Sequence, residues 1–149
     1  MSYHELKKGR FSELGRLYFV TATTAHRIPH FHDFFIARLL VDVMKDQTKN
    51  KEADFLAWVI MPDHAHWLLR VKERASLSMV MNNLKGRSAR IINQKLSSKQ
   101  NFWQANFYDH ALRSDVCIKS VARYIIANPL RANLVDNIGD YPHWDAIWI

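Results

Sequence analysis

The sequence predicts an α+β fold of the ferredoxin-like or RRM-like type, an antiparallel sheet with helices packed on it. Apolar residues follow a strand pattern in four stretches and a helical pattern in three, in the order β-α-β-β-α-β-α. Hydrophobic residues make up 48% of the 149 residues, and only four Gly and four Pro occur. This composition predicts a single domain over residues 1–149 that is long enough to bury a sizeable core.

The first half of the chain predicts three strands and one helix. Residues 16–25 (RLYFVTATTA) are rich in aromatic and β-branched side chains, which favour a strand. Apolar residues at spacings of three and four predict an amphipathic helix over residues 32–46. The near-continuous apolar run 53–61 predicts a central strand buried on both faces. A Pro-Asp turn then leads into residues 64–71, which are expected to form its antiparallel partner.

The second half predicts two further helices and a fourth strand. A helix is expected over residues 76–96, with one of two serines at its start as the N-cap. A short strand is expected around residues 107–112. A third helix covers residues 115–127 and is ended by the Asn128–Pro129 pair, because the residue before a proline disfavours the α region. The last residues form a short tail with aromatic anchors and no clear period.

Composition excludes several classes of protein. No stretch approaches the roughly 18 apolar residues of a membrane span, so no membrane association is expected. The first residues pass from Met directly to polar and basic side chains, without the apolar core of a signal peptide. Cys117 is the only cysteine, which excludes an intrachain disulfide and a CxxC-type zinc site. These features predict a cytoplasmic protein.

The charge distribution favours a nucleic-acid partner. Lys and Arg number 21 against 14 Asp and Glu, a net charge of +7. Two clusters stand out, one near the N-terminus and one around the second predicted helix: Lys7, Lys8, Arg10 and Arg16, and Lys85, Arg87 and Arg90. Each of these residues alone fits a solvated basic face equally well.

Two histidines separated by one residue lie in the segment VIMPDHAHWLL (59–69), at the start of the predicted strand 64–71. On a strand, residues i and i+2 point to the same face, so His64 and His66 project side by side and could share one metal ion. The alternative is a pair of half-exposed strand residues with polar partners. A zinc hydrolase is poorly supported, because the chain has no HExxH helix and no cysteine cluster.

The third predicted helix carries a second candidate pair, Tyr124 and Asn128. They are one helical turn apart on one face. The phenol could act as a nucleophile, and the amide oxygen is a neutral ligand for a divalent ion. The alternative is a tyrosine half-packed against the sheet with its hydroxyl in water.

Taken together, the stretches YFVT, WVIMPDHAHWLL, NLKGRSAR and VARYIIANPLRANLV resemble those of the single-tyrosine HUH transposases. In that family two histidines flank one hydrophobic residue, here His64-Ala65-His66. The chain is most similar to the branch known as REP-associated tyrosine transposases, with the four stretches in the same order between Tyr18 and Val135. In the wider family a glutamine often stands four residues after the tyrosine, where this chain has Asn128.

The resemblance implies the HUH nuclease fold and an enzyme that cleaves and rejoins single-stranded DNA containing hairpins. By position, His64 and His66 hold Mg²⁺ or Mn²⁺, Asn128 assists, and Tyr124 attacks the scissile phosphate to leave a 5′-phosphotyrosine link. The branch tends towards monomers, so a monomer is expected rather than a homodimer. The residues expected to contact DNA are Lys7, Lys8, Arg10, Arg16, Lys85, Arg87, Arg90, Arg113, Arg123 and Arg131.

Two other functions remain open from the sequence. One is a nucleic-acid-binding module without catalysis, although the aromatic RNP1 pattern of RNA-binding sheets is absent. The other is a metal-dependent phosphodiesterase in which water, not tyrosine, attacks the phosphate.

Overall fold

The computed structural model describes residues 16–113 and 117–147. Within them five strands and four α-helices follow one another: β1 Leu17–Thr23, α1 Phe34–Lys49, β2 Ala53–Ile60, β3 His64–Val71, α2 Leu77–Leu96, β4 Tyr108–Ala111, α3 Ile118–Ile126, α4 Asn128–Arg131 and β5 Trp144–Ala146. The predicted order β-α-β-β-α-β-α is confirmed. None of the helices in this part of the chain is long and apolar enough to cross a membrane.

The strands form one antiparallel sheet in the order β4-β1-β3-β2-β5. The first four strands have the ferredoxin-like arrangement that the sequence predicts. The fifth strand was not predicted, because its three residues lie in the tail, where no period is visible. It pairs with β2, with Ala146 opposite Ala57, and so covers an edge that would otherwise be open.

The two faces of the sheet are buried by different helices. Val20 and Trp67 are paired in the register of β1 and β3, and both belong to the core cluster that includes α1 and α2. The neighbouring pair of residues, Phe19 and Leu68, faces the second core cluster, which includes α3. Because side chains alternate along a strand, the even-numbered residues of β3 lie on the α3 side. This places His64 and His66 under α3.

The observed helix ends confirm a serine N-cap for α2 and correct the predicted end of the third helix. Ser76 caps α2 by accepting a hydrogen bond from the Met79 backbone N–H at 3.1 Å. The third helix ends at Ile126 rather than at residue 127, and Asn128 begins the short helix α4. Proline is tolerated in the first turn of a helix, so Pro129 starts a new helix here instead of a loop.

Among the described residues Trp67 is the largest fully buried side chain, and its Nε1 donates to the Met44 Sδ at 3.3 Å. Trp67→Ala is expected to lower the free energy of unfolding by about 3–5 kcal/mol, because it leaves a large cavity between sheet and helices. Met79→Ala, at a side chain 37% exposed, is the matched control and should change it by less than about 0.5 kcal/mol. Denaturant unfolding measures both. Equal losses for the two variants would contradict this packing.

Candidate active site

The two histidines lie side by side near the start of β3. In the register of the sheet His64 is opposite Thr23 of β1, and His66 is opposite Thr21 of β1 and Val59 of β2. The ring centroids of His64 and His66 are 4.8 Å apart, with the rings nearly perpendicular. The expectation that both side chains share one face of a strand is therefore met.

One nitrogen of each imidazole has a hydrogen-bond partner. The Nδ1 of His64 is 2.7 Å from the Asp63 Oδ1, and the Nδ1 of His66 is 2.7 Å from the Thr21 Oγ1. In the tautomer with the hydrogen on Nδ1, each ring donates to its partner and presents the lone pair of Nε2. Hydrogen bonds of this kind orient metal-binding histidines in proteins. This tautomer leaves both Nε2 atoms available as ligating atoms, and the predicted role of the two histidines as metal ligands stays a prediction.

His66 is uncharged at neutral pH. Burial lowers its pKa to about 4, with further lowering by the nearby charges of His64 and Arg131. The neutral imidazole is the form that binds a metal ion.

Asp63 links the histidines to the loop after β1. Burial would raise the pKa of its carboxyl, but the hydrogen bond and charge of His64 and those of Arg27 outweigh burial and hold the pKa below its usual value. The Arg27 Nε lies 3.1 Å from the Asp63 Oδ2. Asp63 is therefore ionised and fixes the ring of His64. From the sequence, Asp63 was predicted only to be a turn residue. Its position next to His64 was the one sequence feature that indicated a role in orienting that histidine.

Tyr124 lies on α3 over the same face of the sheet and is 57% exposed. Its ring meets the edge of Phe19 at a centroid distance of 6.2 Å, and Phe19 in turn stacks on His66 at 5.5 Å. A single aromatic ring thus separates the phenol from the histidine pair. The guanidinium of Arg131 lies over the Tyr124 ring, with its Cζ 4.1 Å from the centroid, and its Nη2 donates to the Tyr124 carbonyl at 2.7 Å.

Asn128 closes the end of α3. Its Nδ2 donates to the carbonyl oxygens of Ile125 at 2.8 Å and Tyr124 at 3.3 Å. These bonds fix the amide next to the tyrosine and leave Oδ1 as the amide atom available to a ligand. The predicted role of Asn128 as a metal ligand stays a prediction.

The donor set fits a divalent ion that also binds substrate. Among the residues that the structure describes, no group of three or more His, Cys, Asp and Glu side chains could hold a metal. Two imidazole nitrogens, with the amide oxygen predicted from Asn128, fill only part of a coordination sphere, and phosphate oxygens and water can complete it. The residues present therefore suit Mg²⁺ or Mn²⁺ better than a closed structural zinc site.

The other tyrosines leave one rival for the role of nucleophile. Tyr18 packs against the core cluster on the opposite face of the sheet. The Tyr141 hydroxyl donates to the Ile60 carbonyl at 2.5 Å, and burial raises its pKa to about 12. Tyr108 is 61% exposed on β4 and also contacts the Phe19 ring, at 6.5 Å. Tyr3 lies outside the described residues.

Two of the basic residues predicted to contact DNA each bind several backbone carbonyls of other segments. The guanidinium of Arg16 donates to the backbone carbonyls of Val71, Lys72 and Ala75. The Lys85 Nζ donates to the carbonyl of Gln104 at 2.7 Å, with longer contacts to the next two carbonyls. Burial lowers the pKa of Lys85. Both side chains hold loops in place, and no observation assigns them to DNA.

The remaining basic candidates in the described residues are one partly buried arginine, Arg87, and four exposed arginines. Arg87 forms ion pairs with Asp46 at 3.1 Å and Glu52 at 3.9 Å. The exposed candidates are Arg90, Arg113, Arg123 and Arg131. Lys7, Lys8 and Arg10 lie outside the described residues. The DNA contacts predicted for all of these residues stay predictions.

The fold and the positions of the two histidines and the tyrosine match one class of DNA-cleaving enzyme. A ferredoxin-like sheet with an HxH pair on a central strand, and an exposed tyrosine on a helix over the same face, is the arrangement expected of a single-tyrosine HUH nuclease. The family model described as "Transposase IS200 like" matches residues 16–128. The chain belongs to the IS200-like transposase family, whose members are DNA cleavage and transfer enzymes.

Individual relatives agree with this assignment. The chain is 24% identical over 139 residues to a Haemophilus influenzae protein named "Putative REP-associated tyrosine transposase", covering 87% of this chain and 78% of that protein. It is 25% identical over 95 residues to the REP-associated tyrosine transposase of Escherichia coli K12, covering 63% of this chain and 54% of that protein. The resemblance to the REP-associated branch is confirmed.

A solved structure confirms the fold. The structure of a REP-associated tyrosine transposase bound to a REP hairpin superimposes with a TM-score of 0.74 at 21% identity. The match covers 87% of this chain and 76% of that one. The predicted HUH nuclease fold is therefore confirmed.

Proposed function

We propose that the chain is a tyrosine transposase of the REP-associated type, which cleaves and rejoins single-stranded DNA beside a hairpin. The observation that carries the proposal is the row of rings His66, Phe19 and Tyr124 on one face of the sheet. It places a phenol near two oriented imidazoles. The similar chain solved with a REP hairpin supports hairpin DNA as the substrate.

We further propose that the Nε2 atoms of His64 and His66 and the Oδ1 of Asn128 hold Mg²⁺ or Mn²⁺. When bound, the ion would neutralise charge on the phosphoryl oxygens of the substrate. Imidazole nitrogens are softer ligands than Mg²⁺ prefers, so Mn²⁺ is expected to bind more tightly. Asp63 and Thr21 keep the two rings in the orientation that ligation requires.

The chemical step belongs to Tyr124. Its Oη loses its proton and forms a bond to phosphorus, while the bond between phosphorus and the 3′ oxygen breaks. The 3′ oxygen takes up a proton and leaves as a 3′-hydroxyl. Attack by another 3′-hydroxyl reverses the step and joins two strands without ATP.

A complete site within one chain supports a monomer as the active unit. Phe19 contacts both the Tyr124 ring and the His66 ring of the same chain. No second copy is required to bring the nucleophile to the histidines.

A denaturing gel distinguishes this proposal from its alternatives. The protein is incubated with a labelled hairpin carrying single-stranded flanks and Mn²⁺, and then denatured. A protein–DNA adduct that survives denaturation supports tyrosine chemistry. Cleavage without an adduct would indicate attack by water, and binding without cleavage would indicate a binding module; either outcome overturns the proposal.

The salt dependence of hairpin binding tests which basic residues contact phosphates. Arg90→Ala and Arg123→Ala are each expected to reduce the slope of log K against log salt by about 0.7 to 0.9. Both side chains are exposed, so their removal should not disturb the fold. Lys85→Met is the comparison, since its ammonium is bound to backbone carbonyls and should affect stability more than slope. Unchanged slopes for both arginine variants would show a solvated surface.

A further inference from the structure

Two adjacent phenylalanines at the start of α1 are exposed to solvent. Phe34 is 48% exposed and Phe35 72% exposed, and their rings meet edge to face with centroids 5.6 Å apart. We refer to Phe34 and Phe35 as the aromatic platform. Neither ring contributes to the two core clusters. A pair of neighbouring exposed aromatic rings is unusual on a soluble protein and commonly marks a binding surface.

The aromatic platform lies at the end of the sheet where β2 turns into β3. Phe34 packs on His143 at a centroid distance of 5.4 Å, and the His143 carbonyl accepts from the Ile60 N–H, the last residue of β2, at 2.9 Å. The loop before α1 is attached to the same turn, since the Phe31 N–H donates to the Pro62 carbonyl at 3.0 Å. His64 begins β3 two residues after Pro62. Both the platform and the candidate metal ligands therefore adjoin the β2–β3 turn.

The loop before the aromatic platform is also connected to His64, through hydrogen bonds and an ion pair to Asp63. His26 and Arg27 both adopt the left-handed conformation, with φ values of 57° and 53°. The Thr24 hydroxyl, which bonds with the Ile28 and Asp63 carbonyls, holds this turn. The turn directs Arg27 to Asp63, the partner of His64.

The surroundings of the aromatic platform are basic. Arg38 is one helical turn after Phe34 and lies on the same side of α1. Arg27, His26 and His32 are exposed on the preceding loop. The acidic side chain that precedes the platform, Asp33, accepts hydrogen bonds from the Phe35 and Ile36 N–H groups as the N-cap of α1.

The geometry points to single-stranded nucleotides beside the hairpin as the ligand, with their bases stacked on Phe34 and Phe35. This inference rests on the proposed function and names where its substrate strand lies. Exposed rings flanked by cations are how proteins bind single strands without reading sequence, because every base has a face that can stack. A strand leaving the histidine pair would pass around the β2–β3 turn, with Arg27 and Arg38 available to its phosphates.

The test compares two DNA ligands. One is a hairpin with a single-stranded extension, and the other is the same hairpin without it. Phe35→Ala is expected to weaken binding of the extended hairpin about fivefold or more and to leave the bare hairpin unchanged. Phe35→Tyr should bind like the wild type, because the ring is kept. Met79→Ala, another exposed apolar residue, is the control for loss of surface area.

Three results would overturn the inference. Equal affinity of wild type and Phe35→Ala for the extended hairpin would show that no base stacks on this ring. An equal loss on both ligands would show that the platform does not recognise the extension. A wild-type dimer that Phe35→Ala converts to a monomer would make the platform an interface between copies. The adduct assay is separate: an extension-specific loss without any adduct would retain the binding site and reject the chemistry.

Discussion

Tyr124→Phe is expected to abolish the covalent protein–DNA adduct and with it strand cleavage. The substitution removes one oxygen from a side chain that is 57% exposed, so the free energy of unfolding should change by less than about 0.5 kcal/mol. The loss of cleavage rate should be on the order of 10⁴-fold or more, as for the removal of nucleophiles from other covalent enzymes. Single-turnover cleavage of a labelled hairpin measures it. Hairpin binding should persist, because phosphate contacts dominate affinity.

Tyr108→Phe is the matched control. Tyr108 has a similar exposure and also contacts Phe19, but it lies on β4, and no arginine within residues 16–113 and 117–147 lies over its ring. Its variant should form the adduct at close to the wild-type rate. If Tyr108→Phe loses the adduct and Tyr124→Phe keeps it, the roles assigned to the two tyrosines must be exchanged.

His64→Ala and His66→Ala are expected to have the second large effect. Each removes one of two imidazoles whose Nε2 would bind the ion, so cleavage should fall below detection while hairpin affinity stays within about threefold. Thr21→Val gives a graded comparison, because it removes only the partner of the His66 Nδ1. It should weaken Mn²⁺ binding about 10- to 100-fold. Cleavage by His66→Ala at the wild-type rate would show that the metal site has been misplaced.

A mixture of the Tyr124→Phe and His66→Ala proteins extends this experiment. Because both side chains contact Phe19 of the same chain, the two inactive variants should not restore activity to each other. Recovery of activity in the mixture would mean that sites form between chains.

The sheet was largely predictable because its sequence signals are local. The strand β3 has the expected bounds, 64–71, since a Pro-Asp turn precedes a sharp apolar pattern. The placement of His64 and His66 on one face follows from the two-residue period alone. The C-terminal strand β5 could not be predicted, because three residues give no period and its pairing with β2 is a long-range contact.

The residues that surround the two histidines depend on the register of strand pairing, so they could not be predicted from the sequence. Thr21 reaches His66 only because β1 and β3 pair with these two residues opposite each other. The charge pattern of the sequence was also insufficient to distinguish basic residues with structural roles from basic residues that contact DNA. Arg16 and Lys85 belong to basic clusters in the sequence, yet both bind backbone carbonyls that are distant along the chain. Charge counts alone do not distinguish these roles from contacts with DNA.

Mapping the DNA-linked peptide shows whether Tyr124 is the residue that becomes linked to DNA. The wild-type adduct formed on hairpin DNA with Mn²⁺ is digested with trypsin and nuclease, and its peptides are identified by mass spectrometry. Trypsin cleaves after Lys and Arg, so Tyr124 falls in the peptide 124–131 and Tyr108 in the peptide 100–113. A nucleotide-phosphate mass on Tyr124 is the expected result. The same mass on Tyr108 in the peptide 100–113, with 124–131 unmodified, would contradict the account.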